Sequence, residues 1–135
     1  MDISTLNWSA IIVAAFSSFL VGGLWYSPIL FGNAWMKENK FTAEELKQDK
    51  MGKIFGLTFL FSLIMSFNLA MFLNDSKTDA SWGAIAGFLA GFGWVAMSLF
   101  VIGQFERKST RYMLIHGGYV TFALTLMGLI LGIWR

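Results

Sequence analysis

The chain has 135 residues, of which 56% are hydrophobic and 13% charged, with a formal net charge of +2; soluble domains average about 45–50% and about 25%. That imbalance excludes an ordinary water-facing fold, and the length allows one domain. Glu38, Glu44, Glu45 and Asp49 interrupt the lysines of the longest basic stretch, which excludes a nucleic-acid surface, and the lack of cysteine excludes disulfides, thiolate metal sites and a cysteine nucleophile.

The first element is an apolar run over residues 8–26. No Lys or Arg precedes it, and it is longer than a signal-peptide core of about 7 to 15 residues, so it is expected to be retained as a first transmembrane helix. It ends in GGLWYSPILFGNAWMK. Pro28 disfavours helical geometry at Ser27, so the chain is expected to leave the helix there. Residues 29–35 should then lie along the membrane surface, with Gly32-Asn33 as a turn.

In the loop that follows, Thr42 and Glu45 have the spacing of a capping box, and Phe41 and Leu46 that of a hydrophobic staple. The helix begun at Thr42 is expected to continue through Lys53 into a second span over residues 54–73, as an extension of helix two. Gly52 and Gly56 are its weak points. Two further charge-poor runs, 82–105 and 112–134, are long enough to cross a hydrocarbon layer of about 30 Å at 1.5 Å per residue. The fold class is therefore an all-α membrane protein with four transmembrane helices. Short polar connections make an up-down antiparallel bundle the expected arrangement.

Lys37, Lys40, Lys47, Lys50 and Lys53 fall in the first loop and Arg107, Lys108 and Arg111 in the third, leaving only Lys77 and Arg135 on the other side. The asymmetry puts loops one and three in the cytoplasm and both termini outside. The aromatic belts agree: Trp8, Trp82 and Trp134 would mark the outer interface, and Trp25, Tyr26, Trp35 and Tyr112 the inner one.

Close approach through small residues drives helix association in lipid. Gly83, Gly87 and Gly91 repeat at four-residue steps in span three, and Gly117, Thr121, Thr125, Gly128 and Gly132 line span four. Ala10, Ala14, Ser18 and Gly22, and Thr58, Ser62, Ser66 and Ala70, do the same in spans one and two. These faces read as the bundle interior. On an ideal helix Asn68 lies opposite Ser62 and Ser66, so another helix or a second subunit is expected to cover its amide; with Trp94, near mid-membrane, it is a candidate oligomer contact or path residue.

His116 is the only titratable side chain inside a span. At its depth the expected neighbours are Tyr26, Ser27, Gln104 and Glu106, a polar cluster at the inner mouth. A single His with no acid on its face supports neither nucleophilic catalysis nor a metal site, so no catalytic residue, metal or cofactor is assigned.

The segments GGLWYSPILFGNAWMK, MGKIFGLTFLFS, GAIAGFLAGFGWVA and FERKSTRYMLIHGGYVTFALTLMGLILGIW together resemble the small bacterial membrane proteins called domain of unknown function 1761. The resemblance implies a compact four-span protein of the bacterial inner membrane and no activity. The expected function is a non-enzymatic accessory or sensory module that self-associates in the bilayer, with residues 35–53 offered to a cytoplasmic protein. A small oligomeric transporter or channel for a neutral or hydrophobic substrate is the alternative, and a membrane enzyme using His116 and Glu106 a third.

Overall fold

The computed structural model describes residues 2–135. Its elements are α1 (Trp8–Trp25), α2 (Gly32–Asn39), α3 (Ala43–Lys47), α4 (Met51–Phe72), α5 (Ala80–Phe88), a π-helical segment (Leu89–Ala96), α6 (Met97–Phe105) and α7 (Thr110–Ile133). A short 3-10 turn, Ile3–Thr5, precedes them. Four of the resulting helical units are long and apolar enough to cross a membrane: α1, α4, the continuous Ala80–Phe105 unit, and α7.

Three of the four spans start on a side-chain cap. The Asn7 side chain accepts from the Ala10 amide to cap α1, Asp79 accepts from Trp82 to cap α5, and Ser109 accepts from Tyr112 to cap α7. Asp2 likewise takes the hydroxyl and amide of Ser4, which hold its carboxyl below the usual carboxylate range. The Thr42–Glu45 capping box is formed, with both reciprocal bonds at 3.2 Å. Phe41, however, meets the ring of Trp35. Thr42→Ala should cost about 1 kcal/mol locally and speed amide exchange across Ala43–Lys47 while leaving α4 unchanged.

The helix expected to run unbroken from Thr42 into span two is instead two helices. α3 ends at Lys47, and a turn over residues 48–50 separates it from α4. The capping box supports only one and a half turns, and the glycine side of the start of α4 is unpacked: added methyls at Gly52 and Gly56 would meet open space. Without tertiary contacts so short a helix does not propagate.

The packing is a row. α1 and α7 lie centrally, α4 rests mainly on α1, and α5, the π segment and α6 all rest on α7. The α4–α7 contact is small, and spans two and three share no comparable face despite the short connection between them. The expectation that consecutive spans are neighbours therefore fails for this pair. The termini end closes the row: the Asn74 amide donates to the Asp2 carbonyl and Thr5 hydroxyl, and the Arg135 guanidinium donates to the carbonyls of Leu73 and Asp75 at 2.8 and 2.7 Å. Ala10, Ile11, Ala14, Leu69, Ala70, Leu73, Leu124, Met127 and Leu131 form the core in that half. Ser66, fully buried, donates across to the Ile11 carbonyl at 2.8 Å, so its hydroxyl is satisfied by the neighbouring helix.

Spans three and four touch backbone to backbone. A Cβ at Gly83 would collide with the Gly128 carbonyl, one at Gly87 with that of Leu124, and one at Gly132 with that of Asp79; at Gly91 it would come within 2.8 Å of the Thr121 Cα. The contact then shifts register. The buried positions of span three run Gly83, Gly87, Gly91, then Ala96 and Gly103, a five-residue step after two four-residue steps. The π segment absorbs the extra residue, with the Met97 amide reaching back to the Phe92 carbonyl. Ala96 thereby stays on α7 against Gly117, whereas Ser98, which the regular spacing places beside Ala86 and Ala90, is exposed and donates to the Trp94 carbonyl at 2.6 Å.

Candidate functional site

At the loop end, the chain leaves α1 through a tight turn. The Phe31 amide donates to the Trp25 carbonyl and the Gly32 amide to the Ser27 carbonyl, at 2.9 and 2.8 Å. Gly32 is required there, because a Cβ would sit 2.6 Å from the Ser27 carbonyl carbon. Gly32 and Asn33 are thus the start of α2 and not a turn within a stretch along the membrane surface; the turn is Ser27–Phe31, which leaves Ile29 79% exposed.

This elbow sets Tyr26 against α7. Its hydroxyl lies 2.7 Å from His116 Nδ1, and its ring meets those of His116, Tyr119 and Trp35. Tyr112, one turn before His116, presents its ring edge-on with centroids 4.3 Å apart, and Lys108 Nζ stands 5.0 Å from the Tyr112 centroid. Deeper, the Tyr119 hydroxyl lies 3.4 Å from Ser18 Oγ and donates to the Ser18 carbonyl. The single histidine and all three tyrosines of the chain therefore share one cluster.

Trp25 Nε1 donates to the Ile115 carbonyl at 2.9 Å, and the Ser109 hydroxyl donates to Glu38 Oε2 at 2.6 Å. The end of α1 and the end of α2 are thus each tied to the start of α7.

Of the expected inner-mouth residues, the structure brings Tyr26 and His116 together. Ser27 turns back to the Leu24 carbonyl. Gln104 and Glu106 are exposed at the end of α6, and the Gln104 amide goes to the Met113 sulfur. Tyr112, Tyr119 and Trp35 are the members that sequence reasoning left out of the cluster. The spacing of Tyr112, His116 and Tyr119 on one face of α7 is the signal that could have found two of them.

Asn68 is exposed on α4, uncovered by any other helix of the chain. Its neighbour Phe67 stacks on Trp8, the first residue of α1, with centroids 5.5 Å apart, so Asn68 lies near the membrane edge. Trp94 differs. It lies near the middle of its span, is 69% exposed, and borders an open groove with Gly93, Met97, Ser98, Val101 and Ile102.

Chemically, the Tyr–His cluster is a set of ring contacts around the bond between the Tyr26 hydroxyl and Nδ1 of a half-buried His116. Among the described residues no three His, Cys, Asp or Glu side chains gather where they could hold a metal ion.

The family model described as "Protein of unknown function (DUF1761)" matches residues 9–132, and the chain belongs to that family. No curated protein and no solved structure matches it.

Proposed function

We propose that this DUF1761 protein is a non-enzymatic accessory or sensory module of the bacterial inner membrane that self-associates through span three and presents its first loop to a cytoplasmic partner. The observation that carries the reading is Trp94: a large indole, its N–H without a partner among the described residues, standing out from mid-span beside a glycine whose outer side is open. Tryptophan favours the membrane interface, and a polar N–H in hydrocarbon is costly unless another helix meets it. On a two-fold contact the Trp94 of each copy would fill the Gly93–Ser98 groove of the other, a self-complementary knob and hole.

The docking half of the proposal is supported by α2, which is fixed to the elbow through Tyr26–Trp35 and to the cap of α7 through Glu38–Ser109 while α3 remains exposed. Positive-inside asymmetry and the aromatic belts support loops one and three in the cytoplasm and both termini outside. The interior hydroxyls of Ser66, Thr121 and Thr125 are bonded to backbone carbonyls, which favours packing over a water-filled path.

Light scattering of the detergent-solubilised protein tests the self-association. The wild type is expected as an oligomer and Trp94→Ala as a monomer, whereas Asn68→Leu, near the membrane edge, should leave the mass unchanged. An oligomer undisturbed by Trp94→Ala would sink the span-three contact. Crosslinking from Lys40 or Lys47 in cells should capture one recurring partner, and a blank result would count against docking. The π segment that carries Trp94 is the one feature that favours a transporter instead, because such segments frequently mark functional sites. Substrate flux in proteoliposomes that falls on Trp94→Ala would select that reading.

A further inference from the structure

We infer that the α2 arm and the α6–α7 turn together form a headgroup site for anionic phospholipid. The two segments are remote in sequence, and the Ser109–Glu38 hydrogen bond at 2.6 Å brings them side by side. That contact assembles Lys37 and Lys40 of the arm with Arg107, Lys108 and Arg111 of the turn, all exposed. The nearby acids are Glu38, whose carboxylate accepts from Ser109 and keeps its charge, and the exposed Glu106, so five cations stand against two acids.

Lys40 and Arg107 both stand at left-handed backbone positions, with φ of 57° and 55°. Glycine is the usual residue for that conformation. Here a basic side chain occupies it in both turns.

The apolar surroundings identify the ligand's other half. Ile29 is 79% and Phe105 86% exposed, and these flank the basic segments at the ends of the first and third spans. A free phosphate would gain nothing from such wedges. A diacyl lipid would place its phosphate among the cations and its chains along Ile29 and Phe105. Juxtamembrane clusters of four to eight bases attract anionic headgroups. The occupant is therefore an acidic membrane phospholipid, taken from the bilayer in which the protein sits.

Native mass spectrometry of the delipidated full chain, titrated with equimolar phosphatidylglycerol and phosphatidylcholine, tests this. The wild type should retain phosphatidylglycerol roughly tenfold over phosphatidylcholine. Replacing Lys37, Lys40, Arg107, Lys108 and Arg111 together by Gln should reduce the preference to below about twofold. Neutralising Lys47, Lys50 and Lys53 instead should leave it at the wild-type value. Inorganic phosphate in excess should not displace the bound lipid. If the fivefold variant fails to fold, Lys37→Gln with Lys40→Gln should still lower the preference about threefold. The site is overturned if the wild type shows no preference, if the Lys47, Lys50 and Lys53 variant loses as much as the fivefold one, or if phosphate strips the lipid.

Discussion

Gly87→Val should be among the most damaging single substitutions in the chain, with a loss of about 3 kcal/mol in reversible unfolding from detergent into SDS. At Gly87, as at Gly83, a Cβ would collide with a backbone carbonyl of span four, and no side-chain rotation can relieve that. The helices would have to separate, and with them would go the contact that carries the whole of span three, since α5, the π segment and α6 rest on α7. Gly128→Val should act alike from the other side of the same contact, because its added carbon meets the Gly83 carbonyl. Gly56→Ala is the internal control. Its added methyl meets open space, so a change beyond about 0.5 kcal/mol there would mean that helix propensity, and not collision, governs the glycine effects.

The second large effect is expected at Tyr26. Tyr26→Ala removes a ring that touches Trp35, His116 and Tyr119, together with the 2.7 Å bond to His116, and should cost about 3–4 kcal/mol. Tyr26→Phe keeps the ring and should cost about 1 kcal/mol. A double-mutant cycle of Tyr26→Phe with His116→Phe should return a coupling near about 1 kcal/mol, and additive losses would show that the bond contributes nothing. The two substitutions differ in a second readout. Loss of the ring frees Trp35, so amide exchange across Gly32–Asn39 should accelerate in Tyr26→Ala and stay near wild type in Tyr26→Phe.

The four spans were legible because run length and charge exclusion need no tertiary information: each apolar run exceeds the bilayer requirement without help from a neighbour. The glycine contact was legible for the same kind of reason, since four-residue steps of small residues name a face. Its continuation was not. The five-residue step from Gly91 to Ala96 is visible in the sequence, but whether a helix follows the small residues by a π turn or lets Val95 and Ser98 face inward depends on the partner helix. Gly117 makes room for Ala96 and the ring of Phe100, and that room exists only in the packed pair.

The candidate site was half legible. Pro28 and the aromatic cluster located the elbow, and depth alone brought Tyr26 to His116. Gln104 and Glu106 were placed there by depth too, but they leave α6 on its exposed side, an azimuth that the shift at the π segment changes. The extension of helix two failed on energetics. A good capping box starts a helix, and its length then depends on contacts that α3 lacks. The row order of the spans was hidden because loop length restricts distance without dictating which faces pair.

The central claim is that span three is the self-contact of a membrane module. The chain has no native cysteine, so Val101→Cys introduces a single thiol into the groove that Trp94 borders, with the indole itself kept. Oxidation of that variant in native membranes should give a covalent dimer in high yield, while a thiol at the equally exposed Phe61 on the outer face of α4 should give little. Equal yields at both positions, or dimer only from Phe61, would contradict the claim.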